Sequence, residues 1–165
     1  MKLKFKSKNF SRKGSITYCT VMCEIETLRS EEAVERLSTF EKYIEEIGKR
    51  RDVFTKFDYR YSTTGDNVYK VISVGKAVKS ITDTDNPKLA EKLAEARARL
   101  QCYRYIETYC NALFHSLKEL AYGSLIVTTN CPECTSNGGL YDQWLYYQNL
   151  VEKEKYYISK LLSEL

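Results

Sequence analysis

Hydrophobic and polar positions alternate along two early stretches of the chain. In residues 1–13, lysines fall at 2, 4, 6 and 8, with Leu3 and Phe5 between them. Successive side chains of a strand point to opposite faces. The pattern therefore predicts a strand with Lys2, Lys4, Lys6 and Lys8 on one face and Leu3 and Phe5 on the other. Residues 15–27 predict a second strand, with Cys19, Val21, Cys23 and Ile25 on one face and Tyr18, Thr20 and Met22 on the other. Further on, Val53, Thr55, Phe57, Tyr59 and Tyr61 alternate with Phe54, Lys56, Asp58 and Arg60. Turn residues follow, including Gly65 and Asp66, and then a β-branched run over 68–78, so this part predicts a β-hairpin.

Three other stretches have helical spacing. Ser30 reads as an N-cap, with Glu31 and Glu32 in the first turn. Val34, Leu37, Phe40, Ile44 and Ile47 then mark a helix over 30–48 that stops at Gly48. Asn86 and Pro87 suit the N-cap and first position of a second helix. Its seam runs Leu89, Leu93, Ala96, Leu100, Tyr103, Glu107, Cys110, Phe114, Leu117 and Ala121, interrupted only by Glu107 and ended by Gly123. A helix over 87–122 would be roughly 54 Å long. At that length it is expected either to break near its middle or to project from a compact body. Residues 140–163 resume the spacing with Leu140, Trp144, Tyr147, Val151, Glu154, Ile158, Leu161 and Leu165. Two such helices joined by a loop predict an antiparallel helical hairpin, closed within one chain or between two.

The expected fold class is thus α+β, in a single domain over 1–165. A small antiparallel sheet of the N-terminal strands plus the hairpin near 53–78 packs with one helix (30–48) and the long helical hairpin (87–122, 140–163). An alternative is a ferredoxin-like core with an appended C-terminal helix, which requires residues 124–129 to form a strand.

The formal charge of +4 is unevenly placed. Residues 1–13 hold Lys2, Lys4, Lys6, Lys8, Arg12 and Lys13 and no acid, which leaves 20 bases against 22 acids in the rest. The first thirteen residues are therefore a basic arm. Its lysines either guard a strand edge against aggregation or dock on phosphate or an acidic partner. Lys49, Arg50 and Arg51 form a smaller basic group. No apolar run is long enough to span a membrane, and the start lacks a secretory signal, so the expected location is cytoplasmic and no membrane partner is expected. A phage or mobile-element origin is an expectation resting on the small, tyrosine-rich, motif-poor composition alone.

Six cysteines are present. Cys131-Pro132-Glu133-Cys134 is half of a zinc site, and zinc is the one cofactor the sequence suggests. A second half is missing. Cys19 and Cys23 stand roughly 13 Å apart on a strand, and Cys102 and Cys110 roughly 12 Å apart on a helix. A site shared by two copies through Cys131 and Cys134 is geometrically simpler. The pair could also serve as a redox dithiol, or do neither. His115, the only histidine, has no local nucleophile to activate and reads as a packed or surface residue. There is no Walker loop, dinucleotide fingerprint, Ser-centred elbow or His-Glu-x-x-His.

Fourteen tyrosines are the main compositional surplus. Adjacent positions on a helix face different ways, so Tyr146, Tyr147, Tyr156 and Tyr157 cannot all lie in one seam. They are the expected interface residues. The sequence favours a non-enzymatic protein–protein interaction or assembly protein, homo-oligomeric or with a protein partner. The alternatives are a nucleic-acid-binding module using the basic arm, with a zinc-stabilised loop, and a thiol redox protein.

Overall fold

The computed structural model describes residues 2–27, 53–55, 60–61, 67–79, 86–123 and 140–164. The predicted helix over 30–48, the turn at 62–66, the strand at 124–129, the basic group at 49–51 and the pair Cys131 and Cys134 lie outside the described residues, as does the His115 side chain. The elements are β1 (Lys2–Lys13), β2 (Ile16–Thr27), β3 (Val53–Thr55), β4 (Arg60–Tyr61), β5 (Asn67–Val78), α1 (Pro87–Gly123) and α2 (Leu140–Leu162).

The strands form one antiparallel sheet in the order β1-β2-β5-β3, with β4 also paired to β5. This is the α+β class expected. The antiparallel order β2-β5-β3 is that of the first, third and second strands of a ferredoxin-like sheet, but β1 takes the place beside β2 where the fourth strand of that fold would lie. The strand at 124–129 that this alternative requires lies outside the described residues.

Gly14 and Ser15 make the turn between β1 and β2, with Lys13 opposite Ile16. Gly14 has φ of 59°, where a side chain would be strained. Alternation on β2 follows the sequence reading: Cys19, Val21, Cys23 and Ile25 are buried, while Tyr18, Thr20 and Met22 are partly exposed on the other face.

Alternation on β1 is different from the simple reading. The ladder slips between Phe5 and Ser7, so Lys6 is an extra residue in a bulge. Leu3 and Phe5 pair Ile25 and Cys23 on the buried face. Past the bulge, Lys8, Phe10 and Arg12 pair Val21, Cys19 and Thr17 on that same face. Lys8 therefore does not share a face with Lys2 and Lys4, as the unbroken alternation had implied.

Helix α1 begins as predicted. Asn86 Oδ1 accepts a hydrogen bond from the Leu89 N–H at 3.1 Å, a side-chain N-cap. The helix is continuous for 37 residues, roughly 55 Å. It neither breaks nor projects over its first half, because that half is buried on two sides. Ala94, Ala98 and Cys102, spaced four apart, face β5 and β2. Ser73 on β5 donates its hydroxyl to the Ala98 carbonyl at 2.8 Å.

Helix α2 packs antiparallel on another side of α1: Trp144 meets Glu107 and Glu154 meets Arg99. The helical hairpin therefore closes within one chain. On α2 the predicted seam is observed. Tyr147, Val151, Glu154 and Leu161 are buried, and Trp144 and Ile158 partly so. The two acids in the seams have partners on the facing helix. Trp144 Nε1 donates to Glu107 Oε1 at 2.9 Å, and Glu154 Oε1 lies 3.7 Å from Arg99 Nε.

Candidate functional site

Among the described residues, strand β1 is the edge of the sheet, and it is exposed from Lys4 to its end. Helix α1 covers β2 and β5 and leaves β1 with a shallow cover of long side chains. Phe5 and Phe10 stay 41% and 39% exposed although they point to the helix side. A long, exposed edge carrying aromatic residues is a site for pairing with another chain.

Beside the N-terminal half of β1, α2 forms the far wall of a cleft of ≈ 460 Å³, lined by Leu3, Lys4, Phe5, Tyr103, Tyr146, Tyr147 and Leu150. Tyr103 stands edge-on to Phe5, centroids 5.7 Å apart at 85°. The Arg99 guanidinium lies 5.4 Å from the Phe5 ring centroid and 5.9 Å from that of Tyr103. It also donates to the Tyr103 hydroxyl at 3.1 Å. An Arg over two rings holds both in place through cation–π attraction. Arg99 thus ties β1, α1 and, through Glu154, α2 together at the cleft.

The predicted interface tyrosines divide. Tyr146 and Tyr156 are 59% and 76% exposed, and Tyr157 is exposed as well. Tyr147 is not an interface residue: it is 2% exposed, its hydroxyl held by the Leu3 backbone, and burial pushes its phenol up to about 12. Seam geometry explains the correction, since Tyr147 lies in line with Val151 and Glu154 while its neighbour points out. Tyr146 stands edge-on to it, centroids 5.2 Å apart, and lines the cleft.

The basic arm is in the sheet. Two of its lysines are already engaged by acids of the same chain: Lys6 Nζ with Glu24 Oε2 and Lys8 Nζ with Glu95 Oε2, both at 2.8 Å. These exposed pairs add little stability, but they reduce the charge that those two residues present to a polyanion.

The sequence reading missed a thiol cluster. Cys23 and Cys102, both fully buried, are hydrogen-bonded to each other, and Cys102 Sγ lies 3.0 Å from Ser73 Oγ. Cys102 is the more acidic of the two, because its thiolate would accept a hydrogen bond from Cys23. Cys23 is held above the ordinary thiol range by the same bond and by burial. No spacing rule links residues 23 and 102. Only the docking of α1 on β2 brings them together. Burial also pushes Cys19 up to about 11 and Cys110 up to about 12. All four thiols are inert while the fold is closed. Among the described residues no three His, Cys, Asp or Glu side chains converge on a metal-sized site, and no helix is long and apolar enough to cross a membrane.

A scan against protein-family models returned no match, and searches of curated proteins and of solved structures returned none either.

Proposed function

We propose that this protein is a non-enzymatic protein-association module that binds through the β1 edge and the aromatic cleft beside it. One observation carries the reading: a strand of 12 residues lies at the sheet edge with Phe5 and Phe10 exposed on it, beside a cleft walled by Tyr103 and Tyr146. Aromatic anchors next to a strand that is the sheet edge among the described residues supply both area and direction for a bound chain. The nucleic-acid reading is weaker, since Lys6 and Lys8 are paired with Glu24 and Glu95.

The test is a photo-crosslinking amino acid placed at Phe10 in the full chain, with Lys88, exposed at the start of α1, as the control position. The expected result is a discrete adduct from position 10 and none from 88. The adduct's partner, once identified and purified, should bind the unmodified chain directly. Equal labelling from both positions, or none from position 10, would overturn the reading.

A further inference from the structure

Cys23 of β2 and Cys102 of α1 come from elements far apart in the chain and meet in the core. We infer that they form a peroxide-sensitive latch: oxidation joins them as a disulfide that fixes α1 to the sheet. Neither sulfur lines the cleft beside β1, so the latch stands or falls apart from the association surface.

Close approach of the two backbones makes the link feasible. A disulfide needs its Cα atoms within about 4.4–6.8 Å of each other. A helix comes that near a sheet only where the residues between them are small. Gly75 lies against the backbone of Ala94 and Ala98, with no room for a Cβ. Cys102 is one turn beyond Ala98 on the same side of α1, and its Sγ is 3.0 Å from Ser73 Oγ on β5. Ser73 stands opposite Val21, and Val71 opposite Cys23, so the hydroxyl and the Cys23 thiol are neighbours on the helix side of the sheet. Both sulfurs are fully buried and in hydrogen-bond contact.

The other two described thiols are not placed to compete. Cys19 is roughly 13 Å along β2 from Cys23, and Cys110 roughly 12 Å along α1 from Cys102.

The hydrogen bonds leave nothing orphaned when the link forms. A hydroxyl has one proton, and Ser73 gives its own to the Ala98 carbonyl at 2.8 Å. Cys102 S–H therefore donates to Ser73 Oγ, and Cys23 S–H to Cys102 Sγ. Oxidation removes only these two thiol protons. The disulfide that results has no donor to satisfy, and the Ser73–Ala98 bond is untouched.

Hydrogen peroxide is the oxidant. It is little larger than water, so brief local openings of the core admit it. The Cys102 thiolate attacks one peroxide oxygen. An S–O bond forms, the O–O bond breaks, and the departing hydroxide leaves as water with the Cys102 proton. The Cys23 sulfur then attacks the sulfur of the Cys102 sulfenic acid. The S–S bond forms, the S–O bond breaks, and the oxygen leaves as a second water with the Cys23 proton. Each sulfur gives one electron, and peroxide is reduced to two waters. The product ties β2 to α1 across about 80 residues that include β3, β4 and β5, a loop long enough to restrict the unfolded chain strongly.

The test treats the full chain, reduced and folded, with about 1 mM hydrogen peroxide at pH about 7.5. Catalase then removes the peroxide, and iodoacetamide in urea blocks every thiol that remains. Peptide masses without reduction are expected to show Cys23 joined to Cys102, about 2 Da lighter than the two free peptides together, with Cys19 and Cys110 alkylated. Fragment masses distinguish Cys23 from Cys19. The urea midpoint of the oxidised protein should rise by about 1–2 M and return to its first value with dithiothreitol. Cys23→Ala should abolish both changes. Because that variant can lose stability by itself, the linked peptide in the unaltered chain is the independent readout.

Full alkylation of Cys23 and Cys102 after peroxide, or sulfinic acid at Cys102 in place of the link, would overturn the latch. A link that forms only in urea above the unfolding transition would overturn it too, because folded packing would then play no part. So would a link that leaves the urea midpoint unchanged.

Discussion

Gly75 of β5 lies against the backbone of Ala94 and Ala98, so close that a Cβ at position 75 would overlap the Ala94 carbonyl oxygen and the Ala98 amide nitrogen. Neither is the end of a flexible side chain, so one of the two elements would have to move. Gly75→Ala should therefore destabilise the protein by about 2–3 kcal/mol, the upper part of the range for overpacking. Urea unfolding measures this. An unchanged midpoint would mean that α1 and β5 are not in direct contact there.

Trp144 and Glu107 give a second handle on the helical hairpin. Trp144 is the only tryptophan, and its indole N–H has a carboxylate partner across the interface. Glu107→Leu would restore the apolar seam but leave that N–H without its partner. The expected loss is about 1–3 kcal/mol, the cost of a hydrogen bond to a charged group. Tryptophan emission should shift at the same time, because the charge beside the indole is gone. Stability equal to the parent with unaltered emission would contradict the pairing.

Stability should also depend on Glu154. Burial raises its carboxyl pKa, and Arg99 opposes the shift only in part. The folded state then holds this proton more tightly than the unfolded state does, so stability is lost as pH rises through the raised value. Below the ordinary carboxyl range the cost disappears. Glu154→Gln removes this contribution. Relative to the parent, the variant should gain stability as the pH of the unfolding experiment moves from about 4 to 7. Parallel pH curves for the two proteins would argue against a buried, raised carboxyl.

Alkylation with iodoacetamide, mapped by peptide mass, should leave Cys19, Cys23, Cys102 and Cys110 unmodified in the native protein at pH about 8.5. Their labelling should appear together across the urea transition, since all four are buried in one core cluster. Native-state labelling of Cys110 at the rate of an unfolded thiol would contradict its burial.

Much of this architecture could be read from residue spacing. Asn86 and Pro87 placed the start of α1, and the steps of four and three located the facing seams down to Tyr147, Val151 and Leu161. The same spacing could not show that α1 has a second buried side, because Ala94 and Ala98 are small and their burial reflects close approach to Gly75. The Cys23–Cys102 contact was illegible for a related reason: it depends on how a helix docks on a sheet, and no local pattern encodes that. The turn at Gly14 and Ser15 was legible in principle. A Gly-Ser pair between two alternating runs is a hairpin signal, and treating the first thirteen residues as an arm concealed it. The cleft could not be foreseen, since it needs β1, α1 and α2 in place together.

The bulge at Lys6 acts on β1 as a frameshift acts on a message. Counted back from Lys13 in unbroken alternation, with Lys6 taking a regular place, the strand would send Lys6, Lys4 and Lys2 toward the helices and turn Leu3 and Phe5 to the opposite face. The bulge takes Lys6 out of the alternation, so Leu3 and Phe5 are read on the inside. Closing the bulge with Lys6 still in the strand would leave the composition unchanged, yet it would put ammonium groups where the aromatic floor now stands. The binding character of this edge therefore resides in a count of residues as much as in their identity.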